Sequence, residues 1–492
     1  MHLKFLTPFF IILMTLSFFT VRAQEQIGLA QGNANVTEGV RLNPSFSADA
    51  KPWLDMHFGG GFGHFTNNYG FFSKENFNLY KFKFNPDFST GSESPVWANG
   101  EARLTGPGFS LVSGNWSIGI NSAVRVFGSA RDVPVDMADN YWYDWKVDDH
   151  VGQSFSSGNF RVNGMSWMEL GFNGSGIIRR RNNNMWTLGG TVKILRGINQ
   201  TSFKIQQFDY SVPNDTTFQV SNMTGEYSTS PLNIFNGWGV SGDIGVTFKK
   251  MMKGIERYVP HSLDANCDHI DYHYRFGVSL LDVGYVNYTN ETQVREIENG
   301  SSTWDRRMAF VNNDLQKIRN GFETRFDGQF SNSANSVRAW LPMAISAQFD
   351  YNTFRKNIFL NVSGMIGIPK SNMVGVQRMS WIAFTPRIEK KRFEFSLPFS
   401  INQKGAANLG FGLRFWSLSL GVSNLLPVLT GQDIYHFGGY VHLKHAIFTS
   451  LDCKRGYKRP QPDWSFLRCV NPLNLFPKLG REKRKKQKRY LD

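Results

Sequence analysis

Cysteine is nearly absent: three in 492 residues, which excludes a disulfide-stapled scaffold. Charged residues reach only 19%, and no run of 18 apolar residues occurs after position 23, which excludes a transmembrane helix there. No amphipathic helical pattern is longer than three turns, so helix-built architectures are set aside. Aromatic residues, in contrast, make up 15% of the chain, with 43 Phe, and that content excludes a disordered polymer.

Residues 1–23 read as a secretory signal peptide. Lys4 supplies the positive start, residues 5–19 the apolar stretch, and Val21 and Ala23 the small residues before a cleavage site at Gln24. The apolar run is too short for a membrane anchor, and no cysteine follows the cleavage site to carry a lipid. The exported chain is then either soluble or a closed barrel, since only helices and closed barrels satisfy every backbone group in lipid.

The formal net charge of +15 is uneven. Residues 453–492 hold thirteen Lys+Arg against three acidic residues, a net +10; the signal holds +2 and residues 24–452 hold +3. The basic character is therefore a C-terminal tail, densest at Arg481, Lys483, Arg484, Lys485, Lys486, Lys488 and Arg489. Such a tail either docks on an acidic partner protein, lipid headgroups or cell wall, or lies solvated. An exported compartment disfavours nucleic acid.

Period-2 alternation dominates the body. In residues 237–249, Trp238, Val240, Ile244, Val246 and Phe248 oppose Ser241, Asp243, Thr247 and Lys249. Residues 116–127, 357–366 and 391–401 alternate in the same way. Further strands are expected at 53–72, 102–112, 160–172, 185–195, 201–210, 272–286, 343–351, 379–389, 408–414, 417–422 and 435–448, about fifteen in all. The apolar parity flips between Phe415 and Leu418, which places a tight turn at Phe415-Trp416. Many strands are long enough to cross a bilayer at a tilt. Aromatics stand at the ends of the apolar face (Trp53, Trp116, Trp238, Trp381, Tyr435), and single charged residues stand on the other, as a wet lumen allows. The expected fold class is all-β, a transmembrane antiparallel β-barrel of about 14 strands. Its parts are a signal peptide (1–23), a plug-like segment (24–50), the barrel (51–450) and a basic periplasmic tail (451–492). Residues 179–184 read as a short turn, and 131–158 and 287–341 as long polar loops.

The segment Ala30-Gln31-Gly32-Asn33-Ala34, followed by Leu42-Asn43-Pro44-Ser45, resembles the plug region of FadL-like outer-membrane proteins, which end a similar stretch in Asn-Pro-Ala; here Ser45 replaces the Ala. The chain also resembles a Bacteroidota family of outer-membrane barrels, FadL-like and PorV-like, in the patches at 116–127, 167–193 and 277–284. The resemblance implies an N-terminal segment folded into or under the lumen, with Asn43 and Pro44 as its motif. FadL-like members move hydrophobic molecules, whereas PorV-like relatives are non-enzymatic subunits of secretion machinery.

Metal-ligand types crowd at His261, Asp264, Cys267, Asp268, His269, Asp271 and His273, but their spacing matches no zinc pattern, and a polar loop is expected. The Asp-rich stretch 131–149 lacks a calcium-loop register. Asp243, Glu169 and Lys193 occupy polar-face positions, either lining a lumen or pairing across strands. No nucleophile signature stands beside His436, His442 or His445. Cys453 and Cys469 are candidates for a disulfide, which would leave Cys267 free. No catalytic residue, cofactor or metal is expected. The leading expectation is a non-enzymatic subunit or scaffold of an envelope complex, with outer-membrane lipid and a partner on the tail. The alternatives are a FadL-like passive transporter of hydrophobic small molecules and a secreted soluble β-protein or adhesin.

Overall fold

The computed structural model describes residues 28–453 except 75–76, 79–82, 85–87, 144–146, 257, 263–266, 268, 307–320, 322, 354–356, 370–372 and 452. The signal peptide, Asp264, Asp268, Cys469 and the basic run from Arg481 to Arg489 lie outside the described residues.

Fourteen antiparallel strands form one closed wall. They are β1 (Leu54–Asn67), β2 (Val96–Thr105, continued by Gly108–Ser113), β3 (Trp116–Val133), β4 (Ser154–Ser157 and Phe160–Arg181) and β5 (Asn184–Asn214). Next come β6 (Thr217–Ser230 and Gly237–Met251), β7 (Tyr272–Tyr288 and Gln293–Asp305), β8 (Ser331–Ala334, Val337–Trp340 and Ala344–Asn352), β9 (Ile358–Gly367) and β10 (Trp381–Glu389). The last are β11 (Phe393–Ser396 and Phe399–Asn402), β12 (Ala407–Leu409 and Phe411–Phe415), β13 (Leu418–Val422) and β14 (His436–Ile447). Pairing of β14 with β1, from Ile447↔Leu54 to His436↔Thr66, closes the wall and removes the sheet edges.

The alternation in the sequence becomes an inside-out arrangement. On β6, Trp238, Val240 and Ile244 stand exposed on the exterior, while Ser241, Asp243, Thr247 and Lys249 are buried inside. A soluble sandwich would bury the first set and expose the second. Aromatic rings bound the bare band: Trp116, Trp186, Phe248 and Tyr274 at the rim where the chain enters β1, and Phe235, Trp238, Tyr285 and Trp340 at the other. About ten tilted residues separate the two girdles, or about 25 Å, the height of a lipid-facing belt.

Several expectations are corrected. Stretches 185–195 and 201–210 are one strand, β5, because a bulge opposite Ser166/Trp167 shifts its register without breaking its pairing to β4. The 287–341 region is not one loop: β7 continues to Asp305, and β8 returns from Ser331. The 131–158 stretch contains a helix, α1 (Val135–Trp142). The tight turn is Trp416-Ser417, with Trp416 at φ 55°, so Phe415 and Leu418 pair across it, both outward. The turn near 179–184 is only Asn182-Asn183. Trp381 points inward onto Ala30 and Leu42, not into a girdle.

Candidate functional site

Residues 28–50 occupy the interior of the barrel, almost wholly buried. A one-turn helix, α2 (Val36–Gly39), and a 3₁₀ turn (Pro44–Asp49) shape the segment. Asn43 is the pivot. Its side chain accepts from the Ser45 N–H at 3.0 Å, which caps the turn, and Pro44 fits the first position because its missing N–H has no partner to lose there. The same carboxamide approaches Thr247 on β6, Val278 O on β7 and Gln348 on β8. Glycines in the wall make room: a Cβ at Gly245 would overlap the Asn43 carboxamide, and one at Gly189 would sit 2.6 Å from Pro44 O.

Polar contacts reach this segment from most of the wall. Asp55 on β1 accepts from Thr37; Ser117, Asn173 and Ser175 on β3 and β4 meet Ser47; Lys249 on β6 meets Asp49 at 2.9 Å. Ser363 on β9 accepts from Gln31, Glu389 on β10 from Asn33, Glu394 on β11 from Asn35, and Lys444 on β14 donates to Asn35.

Above the segment lies a buried ion network. Asp282 faces three cations, Arg125 at 3.1 Å, Lys193 at 2.6 Å and Arg378 at 2.9 Å. Arg125 also meets Glu101 and Glu169, Glu169 holds Arg41 at 3.0 Å, and Lys193 holds Asp243 at 2.8 Å. Asp282 points inward because β7 bulges at this point: Leu281 and Asp282 are both buried, with Asp282 at φ 53°. Glu169, Lys193 and Asp243 thus face the lumen and pair there. Among the described residues, the spaces beside this segment are water-sized, about 30 Å³ beside Glu38 and Arg41 and about 10 Å³ beside Asn33 and Lys249. Whether the lumen is open, which the sequence leaves undecided, is answered among the described residues by a closely packed polar interior.

A different space lies at the rim away from the termini. A cavity of about 480 Å³ is lined almost entirely by apolar atoms. Its wall residues Ala98, Ala130, Val162, Phe203 and Tyr227 pair directly across β2 to β6, so they share one face. No bulge interrupts β3 between Val126 and Ala130, so this is the exterior, lipid-side face. Met137, Ala138, Tyr141 and Trp142 of α1, together with Tyr69 and Phe88, form the cover. Asp136 and Asp139 of the Asp-rich stretch fasten it, accepting hydrogen bonds from Tyr210 and Tyr69, each at 2.6 Å. Burial and the adjacent carboxylates push both phenols above their usual range. These two aspartates are fasteners of the cover.

The 261–273 stretch closes the rim at the termini. Cys267 bonds Cys453, with Cα atoms 5.8 Å apart, which overturns the Cys453–Cys469 pairing; the fold brings the β6–β7 connection to the end of β14, a proximity across 186 residues that spacing does not carry. His261 bonds Ala50 O at 2.9 Å, and His269 lies 3.8 Å from Asp49. Among the described residues, this stretch gathers no metal-ligand set. His436 contacts Thr66, and His445 contacts Ser417 at 3.1 Å; no carboxylate lies within ion-pair reach of His445 among the described residues, so no base-orienting third group completes that pair.

Residues 44–419 match the family of unknown function DUF5723. Among curated proteins, none matches the chain. Similar solved structures include the toluene transporter TbuX of Ralstonia pickettii (8% identity, TM-score 0.39, covering 84% of this chain and 94% of that one). The toluene transporter TodX of P. putida gives 9%, 0.39, 83% and 91%, and a FadL homologue of Pseudomonas aeruginosa 10%, 0.38, 86% and 97%. The fold assignment rests on the strand pairing described above.

Proposed function

The chain belongs to the family of unknown function DUF5723, which names no activity, and from its geometry we propose an outer-membrane barrel that takes up hydrophobic small molecules. One observation carries the reading: the covered apolar cavity of about 480 Å³, which is ligand-sized and lies on the exterior face, next to the lipid-facing belt. A hydrophobe that leaves the outer leaflet at the edge of the belt meets this space on the same apolar face. Passage inward then requires displacement of the segment at residues 28–50, since the lumen is closed beneath it. The bare apolar belt excludes the soluble adhesin reading. The scaffold reading drew on the basic tail, which lies outside the described residues, and on the long loops, which hold a helix and continuing strands instead. No enzymatic step enters the proposal.

The test fills the cavity with Ala98→Trp and Ala130→Trp and measures binding of an apolar naphthylamine fluorophore to protein in nanodiscs. A roughly tenfold weaker affinity, about 1.4 kcal/mol, is expected with the barrel still folded. Absent binding by the parent chain, or unchanged binding by the filled variant, overturns the proposal.

A further inference from the structure

Three residues far apart in sequence meet inside the wall: Glu38 on α2, His57 on β1 and His442 on β14, all buried, each offering one ligand atom within 4.8 Å of the others. His57 Nε2 lies 3.1 Å from His442 Nδ1 and 3.6 Å from Glu38 Oε1. A tetrahedral zinc-class ion, with bonds of about 2.0–2.1 Å, sets its ligands about 3.3–3.4 Å apart. The two separations from His57 bracket that value, and the third pair, Glu38 and His442, lies within 4.8 Å.

Two local features build this meeting. The β1–β14 pairing slips at Phe58, between His57 and Gly59, and a bulge of this kind re-aims the side chain beside it. Gly60, opposite His442, carries no side chain; a Cβ there would overlap the His442 ring. The imidazole lies across that gap to reach His57.

The outer contacts suit a metal ligand. His57 Nδ1 is 3.0 Å from Gly106 O. A carbonyl only accepts, so Nδ1 carries the proton and the Nε2 lone pair points at the cluster, the arrangement that fixes metal-bound histidines. Glu38 Oε2, the other carboxylate oxygen, has no hydrogen-bond partner and faces Arg41 Nε at 3.6 Å. Glu38 also borders the 30 Å³ space, which the two histidines do not line.

We infer that Glu38, His57 and His442 bind a divalent cation of the zinc class, which pins the luminal segment to the seam where the barrel closes. Two nitrogens and one carboxylate suit zinc or cobalt better than calcium or magnesium, which take oxygen ligands. The ion joins three pieces of chain that hydrogen bonds otherwise hold: the segment, the first strand and the last.

The experiment uses untagged full-length protein in detergent, stripped with chelator and dialysed. Zinc content is measured by mass spectrometry, and cobalt uptake by its visible absorption. One equivalent of zinc and a tetrahedral cobalt band are expected. Affinity should fall at least tenfold in His57→Ala and His442→Gln. Gly60→Ala, which keeps all three ligands but displaces a ring, should show the same loss. His261→Ala and His269→Ala should bind as the parent does. Heat-modifiable gel migration confirms that each variant is folded; where one is not, the cobalt spectrum of the parent decides. No stoichiometric uptake by the parent, an octahedral cobalt spectrum, or undiminished binding by folded His442→Gln overturns the inference.

Discussion

Strand β3 shows two environments on one face. Val126 stands bare, 52% exposed, whereas Ala130, two pleat repeats further along the same face, lines a covered cavity. In the belt, apolar side chains need no protein cover because lipid supplies it, and the interior is given over to charge. Beyond the belt, water would meet the same apolar face, so α1 and its neighbours cover it. There Phe160, Phe208, Tyr210, Val212, Phe218 and Val220 form an ordinary core. The polar side of that extension, with Lys204 and Asp209, faces away from this core. The sheet keeps its facing; what changes is the solvent.

This contrast can be broken from either side. The largest effect is expected inside the belt. Asp282→Asn removes the anion shared by Arg125, Lys193 and Arg378 and leaves the buried network with an excess of positive charge. A loss of about 3–5 kcal/mol follows, read as a lower temperature for heat-modifiable migration. Next, Gly245→Leu should evict the Asn43-Pro44 turn from its notch while leaving the wall paired, and single-channel conductance in planar bilayers should rise from closed to open. An unchanged closed channel would show that the segment is not what seals the lumen. The smallest effect concerns the cover. His150, 3.2 Å from Asn140 on α1, has its imidazole held below the usual range, chiefly by burial. The neutral form is favoured in the folded cover. Its stabilisation is present above ~6.5 and is lost as pH falls through the lowered value, so fluorophore affinity should decline modestly between pH ~7 and ~5. His150→Asn should flatten that decline.

Much of the belt was legible in the sequence, because period 2 is a one-dimensional signal and lipid enforces it strictly. Trp238, Val240 and Ile244 against Ser241, Asp243 and Thr247 already state which face is which. Asn43 and Pro44 were legible as a motif, but their glycine notch was not, since Gly189 and Gly245 come from separate strands. The bulges hid more. Simple alternation would turn Asp282 outward and carry His57 past His442; one extra residue in each strand reverses that. The cavity was invisible for a related reason: Phe65, Ala98, Ala130, Val162 and Phe203 look like ordinary outward positions until α1 folds over them. Glu38, His57 and His442 carry no spacing signature, as 385 residues separate the two histidines.

The Cys267–Cys453 bond has a consequence for the integrity of the chain. Cys267 precedes β7 and Cys453 follows β14, so the bond makes a covalent ring that contains eight of the fourteen strands. A protease that nicks any single loop within that ring leaves one covalent molecule, with both new ends still tethered at the opposite rim. A nick between β1 and β6 divides the molecule into two pieces. The loops between Cys267 and Cys453 can therefore each be cut once without separating the strands they join.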